Sequence, residues 1–293
     1  MEQFYQKVRW LELKAKILDK TAYNIAIHDQ LKRKKFFDSV LDCGTGTGLF
    51  VRKLSQIIGF KGLVAFDINP GLIEFATKNT LSHLPRGIKN KVQFIVQDLY
   101  SKFDSCIKKQ FDLITGQAFL EHTNPDESIE ILSGLCKEDG WMYFPHNYSG
   151  VAVFEPGYDP GVERQILDNF NLYTIENQII GDRLAGDSYC GQKLPHGFRN
   201  KGFRVLNFST SDWVLTPKGR YSEEEKEILE FIIDKFYEAN TSGKVPESKR
   251  LTLDILNSWK AFHKKNIEED KLTFICLQTS ILVEKQKTNG GIR

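Results

Sequence analysis

Between residues 36 and 145, short apolar runs alternate with stretches that carry the signals of helices. The apolar runs, rich in β-branched and aromatic residues, are Ser39–Cys43, Gly62–Asp67, Val92–Gln97, Phe111–Thr115 and Trp141–Pro145. Two of the stretches begin with Asn-Pro, at Asn69 and Asn124, where asparagine caps a helix and proline fits its first turn. Strands that alternate with helices form a parallel sheet covered on both faces. The pattern therefore predicts an α/β, doubly wound fold.

The alternation ends near Gly150. Residues 155–200 are predicted to be helical and irregular, and residues 202–209 and 272–284 to be late strands of the same sheet. A capping box at Ser222–Glu225 predicts one more helix. We therefore expect an N-terminal helical lid segment, residues 1–35, and a single domain, residues 36–293. Cap insertions are expected in this domain at about residues 149–200 and 217–270.

The segment from Val40 to Phe50, VLDCGTGTGLF, places Gly44, Gly46 and Gly48 between a predicted strand and a predicted helix. Glycine lets a ligand approach the backbone closely, and the helix start offers unpaired N–H groups. The spacing G-x-G-x-G differs from the G-x-G-x-x-G of dinucleotide dehydrogenases. It also lacks the Gly-Lys-Ser/Thr ending of a nucleoside triphosphate loop. These two classes of site are therefore disfavoured.

Aspartates end the first three predicted strands. Asp42 is placed to receive a cation, Asp67 to accept ribose hydroxyls, and Asp98 to accept an adenine amino group. Any one of them could be an ordinary loop carboxylate. Together with the glycine turn, they predict a pocket for a nucleoside with a zwitterionic, cationic tail and no phosphates.

This order of motifs resembles the class I S-adenosylmethionine-dependent methyltransferases, over Ser39–Pro145 and more weakly over the late strands. The resemblance implies a Rossmann-like, seven-stranded, mostly parallel sheet whose last strand runs antiparallel. It also implies S-adenosylmethionine as cofactor and S-adenosylhomocysteine as product, bound across the carboxyl ends of strands one to four.

The resemblance also implies roles for individual residues. Gly44, Thr45 and Gly46 would surround the methionine moiety, and Asp42 and Gly48 would belong to the same cofactor site. Ribose and adenine would lie against Asp67, Ile68, Asp98 and Leu99. Thr115, Gly116 and Gln117 would face the amino group and sulfonium, and Tyr23 would close over the methionine carboxylate.

Candidate catalytic bases follow the fourth and fifth predicted strands: His122, His146 and Tyr148. Each could equally be part of the loop structure. The chain has no Asn/Asp-Pro-Pro-Tyr after the fourth strand and no Pro-Cys, which argues against amino-methylating DNA enzymes and cytosine C5 enzymes. Aromatic residues in the insertions favour an enclosed pocket, and hence methyl transfer to nitrogen or oxygen of a small molecule. An RNA or protein methyltransferase and a non-catalytic cofactor-binding module remain alternatives.

The composition limits which partners the protein is expected to bind and where in the cell it is expected to act. Lys and Arg number 40 against 38 Asp and Glu, a formal charge of +2, which disfavours a surface built wholly for nucleic acid. The basic run Lys32–Lys35 is the one hint of such a surface. The 5 cysteines form no C-x-x-C pair, so no metal site is expected. With no secretory signal or membrane span evident, a cytoplasmic location is expected, and the oligomeric state is left open.

Overall fold

The computed structural model describes residues 2–18, 25–103, 107, 110–176, 178–180 and 183–287. Its strands are β1 Phe36–Cys43, β2 Gly59–Asp67, β3 Val92–Val96, β4 Phe111–Thr115, β5 Cys136–Glu155, β6 Gln178–Ile180, β7 Arg183–Ala185, β8 Phe203–Thr210, β9 Trp213–Leu215 and β10 Thr273–Lys285. Its α-helices are α1 Glu2–Leu13, α2 Ile25–Lys34, α3 Leu49–Ile57, α4 Pro70–Phe75, α5 Leu81–His83, α6 Arg86–Lys89, α7 Pro125–Leu135, α8 Pro160–Phe170, α9 Cys190–Asn200, α10 Glu223–Thr241 and α11 Leu253–Glu268. Short π-helical or 3-10 segments are Lys14–Leu18, Ala76–Thr80, Leu120–His122, Asn171–Ile175 and Glu247–Lys249.

The main sheet has the order β3-β2-β1-β4-β5-β10-β8. β1 to β5 pair in parallel, and β10 runs antiparallel to both β5 and β8. This confirms the predicted α/β class and the antiparallel last strand. The short β9 pairs with β10 as an additional strand beyond the seven expected. The order reverses between β1 and β4, and ligands of such sheets bind at the carboxyl ends beside this point.

Three of the helix starts follow from their first residues. The side chain of Asn69 accepts a hydrogen bond from Leu72 N at 3.2 Å, and that of Asn124 accepts one from Glu127 N at 3.3 Å. Ser222 forms the reciprocal capping box that opens α10. These side chains satisfy N–H groups that have no partner within the helix, and they confirm the predicted starts.

β5 is much longer than the predicted run Trp141–Pro145, because it spans Cys136–Glu155. From Trp141 onward it pairs with β10, from Trp141 opposite Glu284 to Glu155 opposite Thr273. The backbone groups of 146–155 therefore find partners in a strand more than a hundred residues away. β5 thus continues past residue 149, where the first insertion was expected to begin.

Apolar clusters cover both faces of the parallel sheet, and another fills the space beneath the insertions. In this last cluster, Phe154 of β5 lies 5.4 Å from the ring of Phe236 in α10 and 5.9 Å from that of Trp259 in α11. Trp259 is fully buried. This core fixes α10 near the carboxyl edge of the sheet. None of the helices in the described ranges is long and apolar enough to cross a membrane.

Candidate functional site

The loop between β1 and α3 turns sharply at the end of β1. Gly44 has φ +62°, and a Cβ atom there would lie 2.4 Å from Cδ2 of Phe119, so no side chain fits unless this ring moves. Thr45 N donates to the carbonyl of Phe66 at 2.9 Å, which ties the loop to β2. Gly44 and Gly46 line a cavity at this edge of the sheet. The loop thus offers bare backbone to a ligand.

Asp42, next to last in β1, is 1% exposed. Neither of its carboxylate oxygens nor the hydroxyl of Thr45 completes a hydrogen bond within the described parts of the chain. Burial raises the pKa of Asp42 to about 7; the nearby Thr45 hydroxyl offsets part of this rise, and the charge of Asp67 adds to it. A buried carboxyl without a counter-charge is suited to receive a cationic group.

The substitution Asp42→Asn is expected to stabilise the fold at about pH 8 by up to about 4 kcal/mol, measured by urea unfolding. The folded state holds the Asp42 proton more tightly than the unfolded chain does. Stability is therefore lost as the pH rises from the ordinary pKa of 3.8 to about 7. Asparagine removes that loss.

Asp112→Asn is the matched control. Although burial acts to raise the pKa of Asp112, the ammonium of Lys137 at 2.8 Å and the contacts of Ser39 hold it below its usual value. Its substitution should therefore destabilise the fold at about the same pH. If both variants lost stability, the loss of stability that we assign to the ionised Asp42 would be refuted.

Asp67 ends β2 and joins two segments of the site. Its Oδ2 accepts a hydrogen bond from Gly46 N and its Oδ1 accepts one from Asn69 N, both at 2.9 Å. An ionised carboxylate has about four acceptor positions, so each oxygen keeps capacity for a further donor. Asp67 and the adjacent, 44% exposed Ile68 line the cavity. The carboxylate thus fixes the glycine loop and still presents acceptors to a ligand.

Asp98 follows β3 at the same edge. Its Oδ1 accepts a hydrogen bond from Tyr100 N at 3.0 Å, and no hydrogen bond to its Oδ2 is found among the described residues. Asp98 and the buried Leu99 both line the cavity. An acceptor next to an apolar side chain suits the edge and face of a base.

Of the three residues at the end of β4 that were predicted to face the cofactor, two have structural contacts and one lines the cavity. Thr115 is fully buried, and its hydroxyl donates to the carbonyl of Tyr143 at 2.6 Å. A Cβ on Gly116 would lie 2.8 Å from the carbonyl oxygen of Cys43, so this position sets the spacing of β1 and β4. Only Gln117 reaches the cavity wall. The residues that line the cavity do not include Asp42, Thr45, Gly48, Thr115 or Gly116.

His122 is the one of the three candidate bases that the structure places in the cavity wall. Its Nδ1 lies 3.2 Å from Oε1 of Gln178. Burial lowers the pKa of His122 to about 4; the Gln178 contact acts to raise it, and the ammonium groups of Lys14, Lys7 and Lys235 lower it further. The imidazole is therefore neutral at neutral pH.

His146 and Tyr148 lie within β5, and the structure does not bring them to the cavity wall. The hydroxyl of Tyr148 donates to Oδ1 of Asn171 at 2.9 Å, and burial raises its pKa. His146 is 7% exposed and has φ +59°. Both were expected beyond the end of a short strand, but β5 continues past them to pair with β10. Tyr23, expected over the methionine carboxylate, lies outside the described residues.

The cavity has a volume of about 830 Å³, and two helices form one side of it. We call this side the helix-walled end; it comprises Lys7, Trp10, Lys14, His122, Gln178, Phe231, Asp234, Lys235 and Glu238. Apart from His122, sequence reasoning did not assign these residues to the site. The sequence signal that could have assigned them is the helical spacing of Lys7, Trp10 and Lys14, which lie on one side of the segment. A helix face exposed to solvent has the same pattern, so this signal does not distinguish the two.

Comparison with known proteins agrees with this arrangement. Residues 40–140 match the family of the methyltransferase domain. Malonyl-[acyl-carrier protein] O-methyltransferase of Halalkalibacterium halodurans is 25% identical over 151 residues, 51% of this chain and 49% of the relative. The match thus spans about half the length of that relative.

Solved structures share the fold. A Bacillus halodurans protein assigned as a methyltransferase is 13% identical, with a TM-score of 0.50, and the alignment covers 89% of this chain and 100% of that one. The YcgJ protein of Bacillus subtilis is 12% identical, with a TM-score of 0.51, covering 90% of this chain and 100% of that one. The domain match, the strand order and the relatives together support a class I methyltransferase of Rossmann-like fold.

Proposed function

We propose that the protein transfers the methyl group of S-adenosylmethionine to a nitrogen or oxygen of a small-molecule acceptor. One observation carries the proposal: a single cavity of about 830 Å³ joins the glycine loop, Asp67 and Asp98 to the helix-walled end. Pockets for small ligands occupy about 300–1,000 Å³, so this volume suits a cofactor together with a small second ligand. Because helices of the chain itself wall the second ligand's space, a small acceptor is favoured over a polymer.

The residues present fit S-adenosylmethionine. Asp42 is buried without a hydrogen-bond partner in the described chain, so it suits the amino group, directly or through an ordered water. The acceptor capacity left on Asp67 suits the ribose hydroxyls, and the carboxylate of Asp98 suits the adenine amino group. These three side chains would therefore hold the cofactor by its polar groups.

When bound, the cofactor supplies a methyl group that its sulfonium has already activated. The main tasks of the protein are then to align the acceptor and to exclude water. Leu11 of α1 has its Cδ1 3.6 Å from the position a Cβ would take on Gly46, so α1 covers the glycine loop. Well-aligned groups gain about 7–11 kcal/mol over free reactants, which makes alignment the largest contribution available here.

His122 is the side chain placed to take a proton from an acceptor that loses one. Because Oε1 of Gln178 only accepts hydrogen bonds, its contact with Nδ1 places the imidazole proton on Nδ1. The lone pair is then on Nε2. With a pKa of about 4, His122 is a weak base, but it is unprotonated across the neutral range.

His122→Ala is expected to lower the rate of methyl transfer by about 10²-fold while leaving S-adenosylhomocysteine affinity unchanged. Tyr148→Phe is the matched control. It should leave the rate unchanged and cost about 1–2 kcal/mol of unfolding free energy, because Oδ1 of Asn171 loses its buried donor. Transfer of labelled methyl and urea unfolding measure the two effects. A rate loss in Tyr148→Phe and none in His122→Ala would reverse the assignment.

The proposal is tested in two steps. Calorimetry should show binding of S-adenosylmethionine and S-adenosylhomocysteine; no binding would refute the proposed cofactor. Transfer from labelled S-adenosylmethionine is then screened against amines, phenols, carboxylates, RNA and protein. Label on RNA or protein alone would favour the polymer methyltransferase, and binding without transfer to any of them would favour a non-catalytic module.

A further inference from the structure

Lysine ammonium groups gather at the helix-walled end, and the described residues supply no ion-pair partner for them. Lys7, Lys14 and Lys235 line the cavity, and none of them is within ion-pair distance of a carboxylate in the described parts of the chain. Lys14 Nζ lies 5.4 Å from the ring centroid of Trp213, and Lys235 Nζ lies 5.0 Å from that of Trp10. An indole face attracts a cation, but it does not neutralise its charge.

Neighbouring cations on the same N-terminal segment are neutralised. Arg9 donates to Glu227 at 2.9 Å, and Lys16 donates to Glu224 at 2.7 Å, both on α10. Lys7 and Lys14 are seven residues apart, about two helical turns, so they lie on the same side of this segment. The cations on the cavity side are therefore the ones left without a carboxylate.

The acidic groups that face these lysines do not pair with them. Asp234 is 2.8 Å from Lys260 and 3.3 Å from Lys264, so it is committed to other cations. Glu238 lies near Lys235 and offsets part of its charge. Glu121 is 4% exposed, and burial raises its pKa to about 7 although the charge of Lys14 acts to lower it. Lys7 and Lys14 thus keep a net positive charge inside the cavity.

The wall beside the lysines is apolar. The rings of Trp10 and Phe231 pack edge to face with centroids 6.2 Å apart, and both line the cavity. We propose that the acceptor carries an anionic oxygen group, a carboxylate or phosphate, bound by Lys7 and Lys14, with an apolar body against Trp10 and Phe231. This rests on the proposed methyl transfer. The negative charge of such an acceptor would lie between the ammonium groups of Lys7 and Lys14, which repel one another when no anion is bound.

The test compares ligands that share a phenyl ring and differ in charge. The probes are 3-phenylpropionate, phenyl phosphate and the neutral 3-phenylpropionamide, each added at millimolar concentration to protein saturated with S-adenosylhomocysteine. At least one anion is expected to bind about tenfold or more tightly than the amide, about 1.4 kcal/mol. Whether carboxylate or phosphate binds more tightly distinguishes the two sources of the anion.

Variants then assign the effect to the lysines. The double variant Lys7→Met/Lys14→Met keeps the apolar stems and should lose the preference for anions, with unchanged S-adenosylhomocysteine affinity. Lys16→Met, which removes a cation paired with Glu224, is the matched control and should keep the preference.

Three results would overturn the inference: no anion binding in excess of the amide, a preference retained by the double variant, or a tenfold loss of S-adenosylhomocysteine affinity in it. The last would assign the lysines to the cofactor's own carboxylate. If wild-type protein bound no S-adenosylhomocysteine, the proposed function would fail. The probe titration on cofactor-free protein would still report on the lysines.

Discussion

Asp67→Ala is expected to weaken S-adenosylhomocysteine binding by about 100-fold or more, because hydrogen bonds to charged groups contribute about 1.5–3 kcal/mol each. The substitution removes the acceptors proposed for the ribose hydroxyls. It also releases Gly46 N and Asn69 N, which Asp67 holds at 2.9 Å, so the glycine loop keeps the Thr45–Phe66 hydrogen bond to β2 but loses the one from Gly46. The substitution thus removes hydrogen bonds to the cofactor and also loosens the glycine loop proposed to contact it. Calorimetry at several protein concentrations measures the change.

Asp38→Ala is the matched control. Asp38 also lies on the β1–β2 side of the sheet, but it is exposed and pairs only with Lys61, at 2.8 Å. Exposed pairs contribute about 0–1 kcal/mol, so neither affinity nor stability should change measurably. Asp67→Asn separates the two roles of Asp67, because it retains one acceptor oxygen. If Asp67→Ala bound the product as tightly as Asp38→Ala, the cofactor would have to lie elsewhere.

The features that sequence reasoning predicted best are local. The turn at Gly44, the caps at Asn69 and Asn124 and the box at Ser222 each depend on residues within a few positions of one another. The carboxylates at strand ends follow from the strands, because parallel strands bring their carboxyl ends to one edge. Sequence reasoning therefore predicted the mostly parallel sheet with its antiparallel last strand, and it predicted Asp67 and Asp98, which line the cavity.

The features that sequence reasoning missed depend on distant pairing. Nothing near Pro145 indicates that β5 continues to Glu155, because the partner that sustains it is β10. Because the strand was expected to end at Pro145, His146 and Tyr148 were predicted to lie in a loop beside the ligand. The helix-walled end was missed for a similar reason, since Trp10 and Phe231 meet only through the packing of α1 on α10.

Both helices of this end pack on one core. α10 is anchored by a core that includes Trp259, which is fully buried, and Phe154. α1 joins the same core through Leu13, which is 1% exposed, and through Trp10, whose ring meets that of Phe231 edge to face. The exposed pairs of Arg9 and Lys16 with α10 add about 0–1 kcal/mol each. That residues 1–35 act as a lid over the bound ligands stays a prediction.

Gly44→Ala is expected to reduce S-adenosylhomocysteine affinity about 100-fold and to destabilise the fold by about 1–3 kcal/mol. At φ +62° a side chain is strained, and the new Cβ would lie 2.4 Å from Cδ2 of Phe119. The ring of Phe119 lines the cavity and packs edge to face on Phe66, with centroids 6.3 Å apart. Relief of the clash therefore moves a wall of the proposed methionine site.

Gly62→Ala is the matched control for this change. Gly62 lies in β2, and a Cβ there meets nothing within 4 Å, so alanine should leave both affinity and stability unchanged. The double variant Gly44→Ala/Phe119→Ala distinguishes the clash from backbone strain, because it removes the ring that the new methyl group would strike. Recovery of affinity in the double variant would assign the loss to Phe119, and no recovery would assign it to the backbone. Unchanged affinity in Gly44→Ala itself would show that the loop does not contact the cofactor.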